Sequence, residues 1–442
     1  MSIDKSVSAG KATTVDPLVA APGSPGGSVA GSDFSGDQHA TTVKGALKEY
    51  VDRVRGGDMG PLPAVLGLVV LVIVFGSLQP DVFVSTRNIA NLLVQAGAIC
   101  VLAMGLVPVL LLGDIDLSAG VAGGASAGVM AILINDSGFG WASGVLAAVA
   151  TGVVIGTLIG LLVAKVGIPA FVVTLAFFLG LQGVTLRLIG EGGTVPVRDE
   201  VIIGIANRNV PIMAGWIIAV VLVLLYALLT LRKHQVQVKN GLQHSPLAMV
   251  VARIVGLAAL AFLTTYALSL NRANPNAFIE LKGVPYVVPI VVVLLVFWTF
   301  VLGKTAYGRH VYAVGGNKEA ARRAGINVDR IRVSVFAICS AMAALSGIIA
   351  ASRLNSVTPD AGAGNTLLYA VGAAVIGGTS LFGGRGKVRD AVIGGLVIAT
   401  IDNGLGLMGY SSYVNYLVTG GVLLLAASVD ALSRRRRTAT GT

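Results

Sequence analysis

Long apolar runs separated by short polar stretches organise this chain from about residue 62 to residue 431. The runs are roughly 18 to 24 residues long, enough at 1.5 Å rise per residue to cover the ~30 Å hydrocarbon core of a bilayer. Twelve apolar segments are predicted, at 62–79, 89–112, 119–135, 141–164, 169–188, 211–231, 249–270, 285–302, 332–352, 365–380, 390–408 and 413–431. The period-two alternation in ~10-residue pieces that a membrane β-barrel needs is absent. The expected fold is therefore all-α: a polytopic helical membrane protein with about 10–12 transmembrane segments embedded in a lipid bilayer. Counting alone leaves open whether some segments are half-spans that re-enter from one side.

The charges give this bundle an orientation. Residues 1–58 are rich in Gly, Ser, Ala, Asp and Thr and hold no apolar core segment, so they are expected to be a disordered cytoplasmic tail without a cleavable signal. Residues 59–432 form the transmembrane domain, and 433–442 a basic cytoplasmic C-terminal tail. With the N-terminus inside and every segment crossing, 24 of the 32 Lys and Arg fall on the inner side, 7 on the outer, and Arg253 within a segment. That bias follows the positive-inside rule. It also accounts for the net charge of +11 without nucleic acid as a partner. Arg253 is expected either to snorkel to the inner surface or to pair with an acidic residue elsewhere in the chain.

Two patterns concern the interior. Gly113-Asp114-Ile115-Asp116-Leu117-Ser118-Ala119-Gly120 parallels Gly377-Gly378-Thr379-Ser380-Leu381-Phe382-Gly383-Gly384, and each lies between two apolar segments. Two related halves are common in transporters, whose substrate route runs between repeats. Gly152, Gly156 and Gly160 recur every fourth position, which puts them on one helix face and admits a close neighbour. That neighbour is either a helix of the same chain or another subunit.

Candidate chemistry is sparse. No nucleophile–base–acid set appears, the four histidines lack metal-ligand spacing, and Cys100 and Cys339 lie inside apolar runs as small core residues. No enzymatic activity, metal or cofactor is expected. Gly303-Lys304-Thr305 imitates the end of a phosphate-binding loop, but Trp298 stands where that loop needs glycine. The inner loop at about 303–331 is more informative. Asn317 is a good N-cap, Glu319 suits the first-turn dipole, Glu319 to Ala324 are good helix formers, and Gly325 is placed to end the helix. A helix of about two turns is unstable alone and needs a surface to dock on.

Here the chain resembles a known family. Glu319-Ala320-Ala321, three residues, then Gly325 is similar to the signature loop of ABC-importer permeases, without the downstream proline, which suggests a divergent branch. Pro108 through Gly120 resembles the Gly-Gly-Ile-Asp-Leu-Ser-x-Gly motif of the ribose/xylose-type sugar permeases, with Asp114 where that family usually has Gly. Ala374 to Gly386 resembles its second Gly-rich motif, and Tyr312 to Ile326 its coupling segment. The extra segment pair around 232–282 looks like the xylose-permease subgroup.

The resemblance implies the membrane-spanning subunit of an ATP-driven importer, for xylose or another pentose, in the bacterial plasma (inner) membrane. It implies a separate ATP-binding subunit, an extracytoplasmic sugar-binding protein and a second permease copy, as a homodimer. Asn317, Glu319, Ala320, Ala321, Arg322 and Gly325 would then couple the chain to the ATPase. Alternatives are an ion-coupled secondary sugar transporter and a same-family permease for nucleosides or another small polar solute.

A sugar route needs hydrogen-bonding groups as water is stripped from the hydroxyls. The candidates are Asn91 and Gln95, four apart on one helix face, with Asp116, Thr174, Gln182, Asn355, Asn365 and Asp402, the last beside Asn403. Each also fits a bland role. Polar side chains bond between helices, and Asp116 or Ser118 can cap the helix that starts near Ala119.

Overall fold

Apolar segments with no polar interruption become helices because, without water, only the helix satisfies every backbone amide within the segment. The computed structural model describes residues 60–242, 244–273 and 280–440, with Gly45; the expected tail at 1–58 otherwise lies outside the described residues. Each of the twelve apolar segments coincides with a helix. In chain order these are α1 (Leu62–Leu78), α3 (Thr86–Leu111), α4 (Ala119–Ser137), α5 (Trp141–Leu161), α6 (Ala170–Ile189), α8 (Ile212–Lys239), α9 (Leu247–Ser269), α10 (Val287–Lys304), α13 (Val328–Leu354), α14 (Asn365–Ile376), α15 (Val388–Leu407) and α16 (Ser412–Thr440). Among the described residues four short helices join them: α2 (Pro80–Phe83), α7 (Glu200–Asn207), α11 (Ala306–Gly316) and α12 (Lys318–Arg323).

Among the described residues nine of these helices are long and apolar enough to cross a membrane. Helices α1 and α14, and the apolar part of α16, are shorter. With 12 residues, α14 rises only ~18 Å, so it is no full span by itself. Two antiparallel pairs, β1 (Val195–Pro196) with β4 (Ser356–Val357) and β2 (Asn209–Val210) with β3 (Val284–Pro285), tie connections together.

Burial separates core from rim. In the apolar windows of α3, α4 and α15, 67% of residues are buried, against 17% or less in α6, α8, α9 and α10. The rim helices present Leu and Val outward, as lipid requires, and Arg253 on α9 is exposed. Helix α13 crosses α3, α4 and α5 through the centre. A Cβ added at Gly152, Gly156 or Gly160 of α5 would lie 2.4 Å from the Ser340 carbonyl, 2.2 Å from the Phe336 carbonyl and 2.7 Å from the Val333 Cα. The four-residue glycine spacing thus serves packing within the chain, the first of the two expected readings. Gly123 of α4 and Gly347 of α13 meet in the same way, backbone to backbone. Because Gly123 lies against Ala343, in the middle of α13, α4 starts inside the bundle and not at its end.

Candidate functional site

The α11–α12 element is built by its caps. Thr305 accepts the Gly308 amide at 3.2 Å to open α11, a helix the sequence reading did not anticipate. Asn317 then accepts the Ala320 amide at 2.9 Å and starts α12, which runs Lys318–Arg323 as expected. Gly325 closes it at φ +82°, with Ile326 N–H donating to the Ala321 carbonyl and Gly325 N–H to the Arg322 carbonyl, both at 3.0 Å. This is the paired end-bond pattern that a left-handed glycine permits. Only Ala321 of α12 is buried, at 4% exposure. Asn317, Glu319, Ala320, Arg322 and Gly325 face outward, with Glu319 and Arg322 paired at 2.9 Å.

Both Gly-rich loops form the seat of this element. Gly384 N–H donates to the Leu111 carbonyl at 2.8 Å. A Cβ on Gly315 of α11 would lie 2.0 Å from that same carbonyl, so only glycine lets α11 approach. The Tyr312 hydroxyl donates to the Gly386 carbonyl at 2.7 Å, and burial pushes the Tyr312 phenol above its ordinary range. The two sequence repeats therefore meet each other, Gly113 against Phe382, directly beneath α11.

Asp114 holds the charged centre of the seat. Its carboxylate accepts Arg332 Nε at 3.0 Å and Nη2 at 2.9 Å, with Lys318 Nζ of α12 at 3.8 Å. Arg332 also reaches the Val163 carbonyl at 3.4 Å, in the π-helical turn Leu162–Val166 that ends α5. One side chain thus links the first Gly-rich loop, the start of α13 and α12.

Polar side chains collect at the other end of α3. Asn88 and Asn403 exchange amide hydrogen bonds at 2.8 Å and 2.9 Å, and Asn403 also donates to Gln95 at 3.4 Å. Asn415 of α16 donates to Asp402. Asn91, Gln95, Asp402, Asn403 and Asn415 line a cavity of about 340 Å³ together with Tyr410 and Ser412. Tyr369 lies beside Asn365 and Thr419, the Thr419 hydroxyl donates to Asn415 at 3.3 Å, and Arg353 lies within electrostatic reach of Asp402. Twenty residues of α3 separate Asn91 from Leu111, roughly 30 Å of helix.

The structure thus brings Asn91, Gln95 and Asp402 together and connects Asn365 to them. The remaining candidates lie elsewhere. Asp116 is fully buried beside Cys339 and accepts the Ser118 amide at 2.9 Å and hydroxyl at 2.6 Å, which turns the chain into α4; its Oδ2 has no hydrogen-bond partner among the described residues. Thr174 is buried on α6 against the Ile115 carbonyl at 3.4 Å. Asn355 adopts φ +55° at the end of α13 and accepts Asn207 at 3.1 Å. Gln182 is half-buried on α6. Asn88, Asn415, Lys318 and the Asp114–Arg332 pair were missed as site residues. The available signal was an Asn at the third position of a span, Asn88, and an Asn in the first turn of α16, Asn415, after an Asp near the end of the preceding span.

Comparison with known proteins places this geometry. The chain is 35% identical over 379 residues to the xylose transport system permease protein of Escherichia coli K12, covering 84% of this chain and 92% of that one. It is 32% identical over 371 residues to the Haemophilus influenzae protein of the same name, covering 84% and 96%. It is 31% identical over 371 residues to the ribose import permease protein of Escherichia coli K12, covering 83% and 92%. No solved structure matches the chain significantly. The family described as "Branched-chain amino acid transport system / permease component" matches residues 88–427. The chain belongs to that family: it is a multi-pass membrane permease, not an enzyme.

Proposed function

We propose that this chain is the membrane-spanning subunit of an ATP-driven importer for a neutral monosaccharide, xylose or another pentose first. One observation carries the reading. The outward-facing α12 rests, through α11, on the two Gly-rich loops at one end of α3 and α15, while the polar cavity lies at the other end of the same two helices. A push on α12 therefore acts on the helices that line the cavity. The names of the relatives, which include xylose and ribose permeases, support a sugar.

The α11–α12 end is assigned to the cytoplasm, because the Lys and Arg excess lies there, which also places both termini inside. An ATP-binding subunit grips the exposed face of α12 at Asn317, Glu319, Ala320, Arg322 and Gly325, with buried Ala321 as its hinge to the bundle. A soluble binding protein delivers sugar at the opposite face, and a second copy of the chain completes the route as a homodimer. The membrane is the inner membrane of a bacterium. Movement follows alternating access, so the ATPase must hold α12 differently in its two states.

The test is uptake into vesicles containing the chain, its ATPase and its binding protein. ATP-dependent accumulation of a pentose is expected, surviving collapse of the proton gradient. Glu319→Lys should abolish uptake while the protein still inserts. Uphill uptake by the chain alone would overturn the proposal.

A further inference from the structure

The cavity between α3, α15 and α16 holds unspent hydrogen-bonding capacity around a single carboxylate. Asn403 at the cavity wall and buried Asn88 satisfy each other, so they are framework. Asp402 uses Oδ1 on Asn415, and its Oδ2 has no hydrogen-bond partner among the described residues. Gln95 accepts through its carbonyl from Asn403, and its amide nitrogen donates to nothing among the described residues. Asn91 and the Tyr410 hydroxyl add further donors at the exposed rim. At about 340 Å³ the cavity lies at the small end of the ~300–1,000 Å³ typical of small-molecule sites.

We propose that this cavity is a low-affinity site for a neutral polyol, in which the free oxygen of Asp402 accepts a hydroxyl and Gln95 donates to the next oxygen. The proposal rests on the sugar-importer reading and deepens it. A carboxylate accepting from O–H makes the short, strong kind of hydrogen bond. A hydroxyl donates to it, whereas a phosphate or carboxylate group brings a second negative charge into the same half-buried place and is disfavoured. Arg353, within electrostatic reach of Asp402, is offset by that carboxylate, so selectivity for the unmodified sugar over its phosphate comes from Asp402 as the charged group that lines the cavity. The Tyr410 ring at the mouth offers an apolar face for the C–H side of a sugar. The site is open enough to release its ligand, which a permeation route requires.

Gly406 gives the experiment its handle. It lines the cavity, is exposed, and an added Cβ there meets nothing within 4 Å. The native Cys100 and Cys339 are buried, at 2% and 0% exposure, so a Gly406→Cys variant carries the one accessible thiol among the described residues. In lipid nanodiscs holding the full chain, a hydrophilic maleimide should label this variant. Millimolar xylose, ribose or arabinose should slow labelling, and xylose 5-phosphate should not. Adding Asp402→Asn, which keeps an oxygen for Asn415, should weaken protection about tenfold, the effect of one charge-assisted hydrogen bond. Gln95→Leu is the second variant should Asp402→Asn fail to yield monodisperse protein, and the same loss is expected. Absence of protection by all three sugars, equal protection by the phosphate, or protection untouched by the variant that folds overturns the proposal. ATP-driven uptake in the vesicle assay without protection here would sink this site alone. Protection here without ATP-driven uptake would sink the importer reading alone.

Discussion

Arg332 grips Asp114 through two parallel hydrogen bonds of 3.0 Å and 2.9 Å, although 218 residues separate them in the chain. Their side chains are 19% and 9% exposed. A fork-shaped guanidinium fits a carboxylate at both oxygens, and such a pair is fixed in direction as well as distance. It pins the start of α13 to the loop on which α11 and α12 rest. Removing one partner leaves the other charge largely buried, at a cost of about 3 kcal/mol. Arg332→Ala and Asp114→Ala should each lower the melting temperature of the purified protein, Asp114→Ala more, since it leaves the like charges of Arg332 and Lys318 without the carboxylate between them, whereas Arg332→Ala leaves Lys318 at 3.8 Å to face it. The double variant should be less damaged than the two losses added together. Simple additivity in the thermal melts would show that the pair is incidental.

Glu319 and Arg322 present a contrast, because their pair is exposed at 69% and 59%. Such a pair contributes ~0.5 kcal/mol or less. Glu319→Lys should therefore leave the melting temperature unchanged while abolishing stimulation of the ATPase by the loaded binding protein. Asn317→Ala should behave differently. It removes the α12 cap and costs roughly 1 kcal/mol locally, so stimulation should fall partially and recover with Asn317→Asp or Asn317→Ser. Melting and ATPase assays on the same preparations separate the two effects. A large melting shift in Glu319→Lys would mean the residue holds the chain together rather than a partner.

Gly156 carries the tightest of the α5–α13 crossings, where a Cβ would lie 2.2 Å from the Phe336 carbonyl. Backbone on both sides has no rotamer to yield. Gly156→Ala should destabilise by about 1–3 kcal/mol, the usual range for overpacking. Gly180→Ala on α6, where nothing lies within 4 Å, should be neutral and serves as the control. The yield of monodisperse protein on size exclusion decides it: equal yields would refute the packing account.

The hydrophobic pattern made all twelve segments legible, because in lipid a helix needs only length and apolarity. Caps were legible for the same local reason: Asn317 and Gly325 do what their side chains and backbone allow. What the pattern could not supply was which polar groups meet. Asp114 and Arg332 are brought together by the way α13 crosses the bundle, a tertiary fact with no local signature. Asn91, Gln95 and Asp402 carry no mark in the sequence to separate them from Thr174 or Asn355, which lie apart from the cavity. The short amphipathic helix α11 was hidden because its residues Tyr307, Val311 and Val314 read as a continuation of the loop until the Gly-rich seat is present to bury them.

Asn403, which lines the cavity, exchanges two reciprocal amide hydrogen bonds with Asn88, and the two are only 5% and 4% exposed. Asn88 donates a third, to the Phe83 carbonyl at 3.1 Å, so its amide is spent on the fold. Removing one partner leaves a buried amide group unpaired, which costs about 1–2 kcal/mol in this setting. Asn403→Leu alone should therefore lower the melting temperature, and Asn88→Leu should do so further because the Phe83 carbonyl also loses its donor. The double variant replaces both amides with apolar groups and should regain part of the loss. Transport then tells framework from ligand: if the pair only supports the cavity, the double variant keeps pentose uptake in proportion to its folded fraction. A stable double variant without uptake would show that one of these amides touches the solute, and the boundary of the polyol site would have to be redrawn to include it.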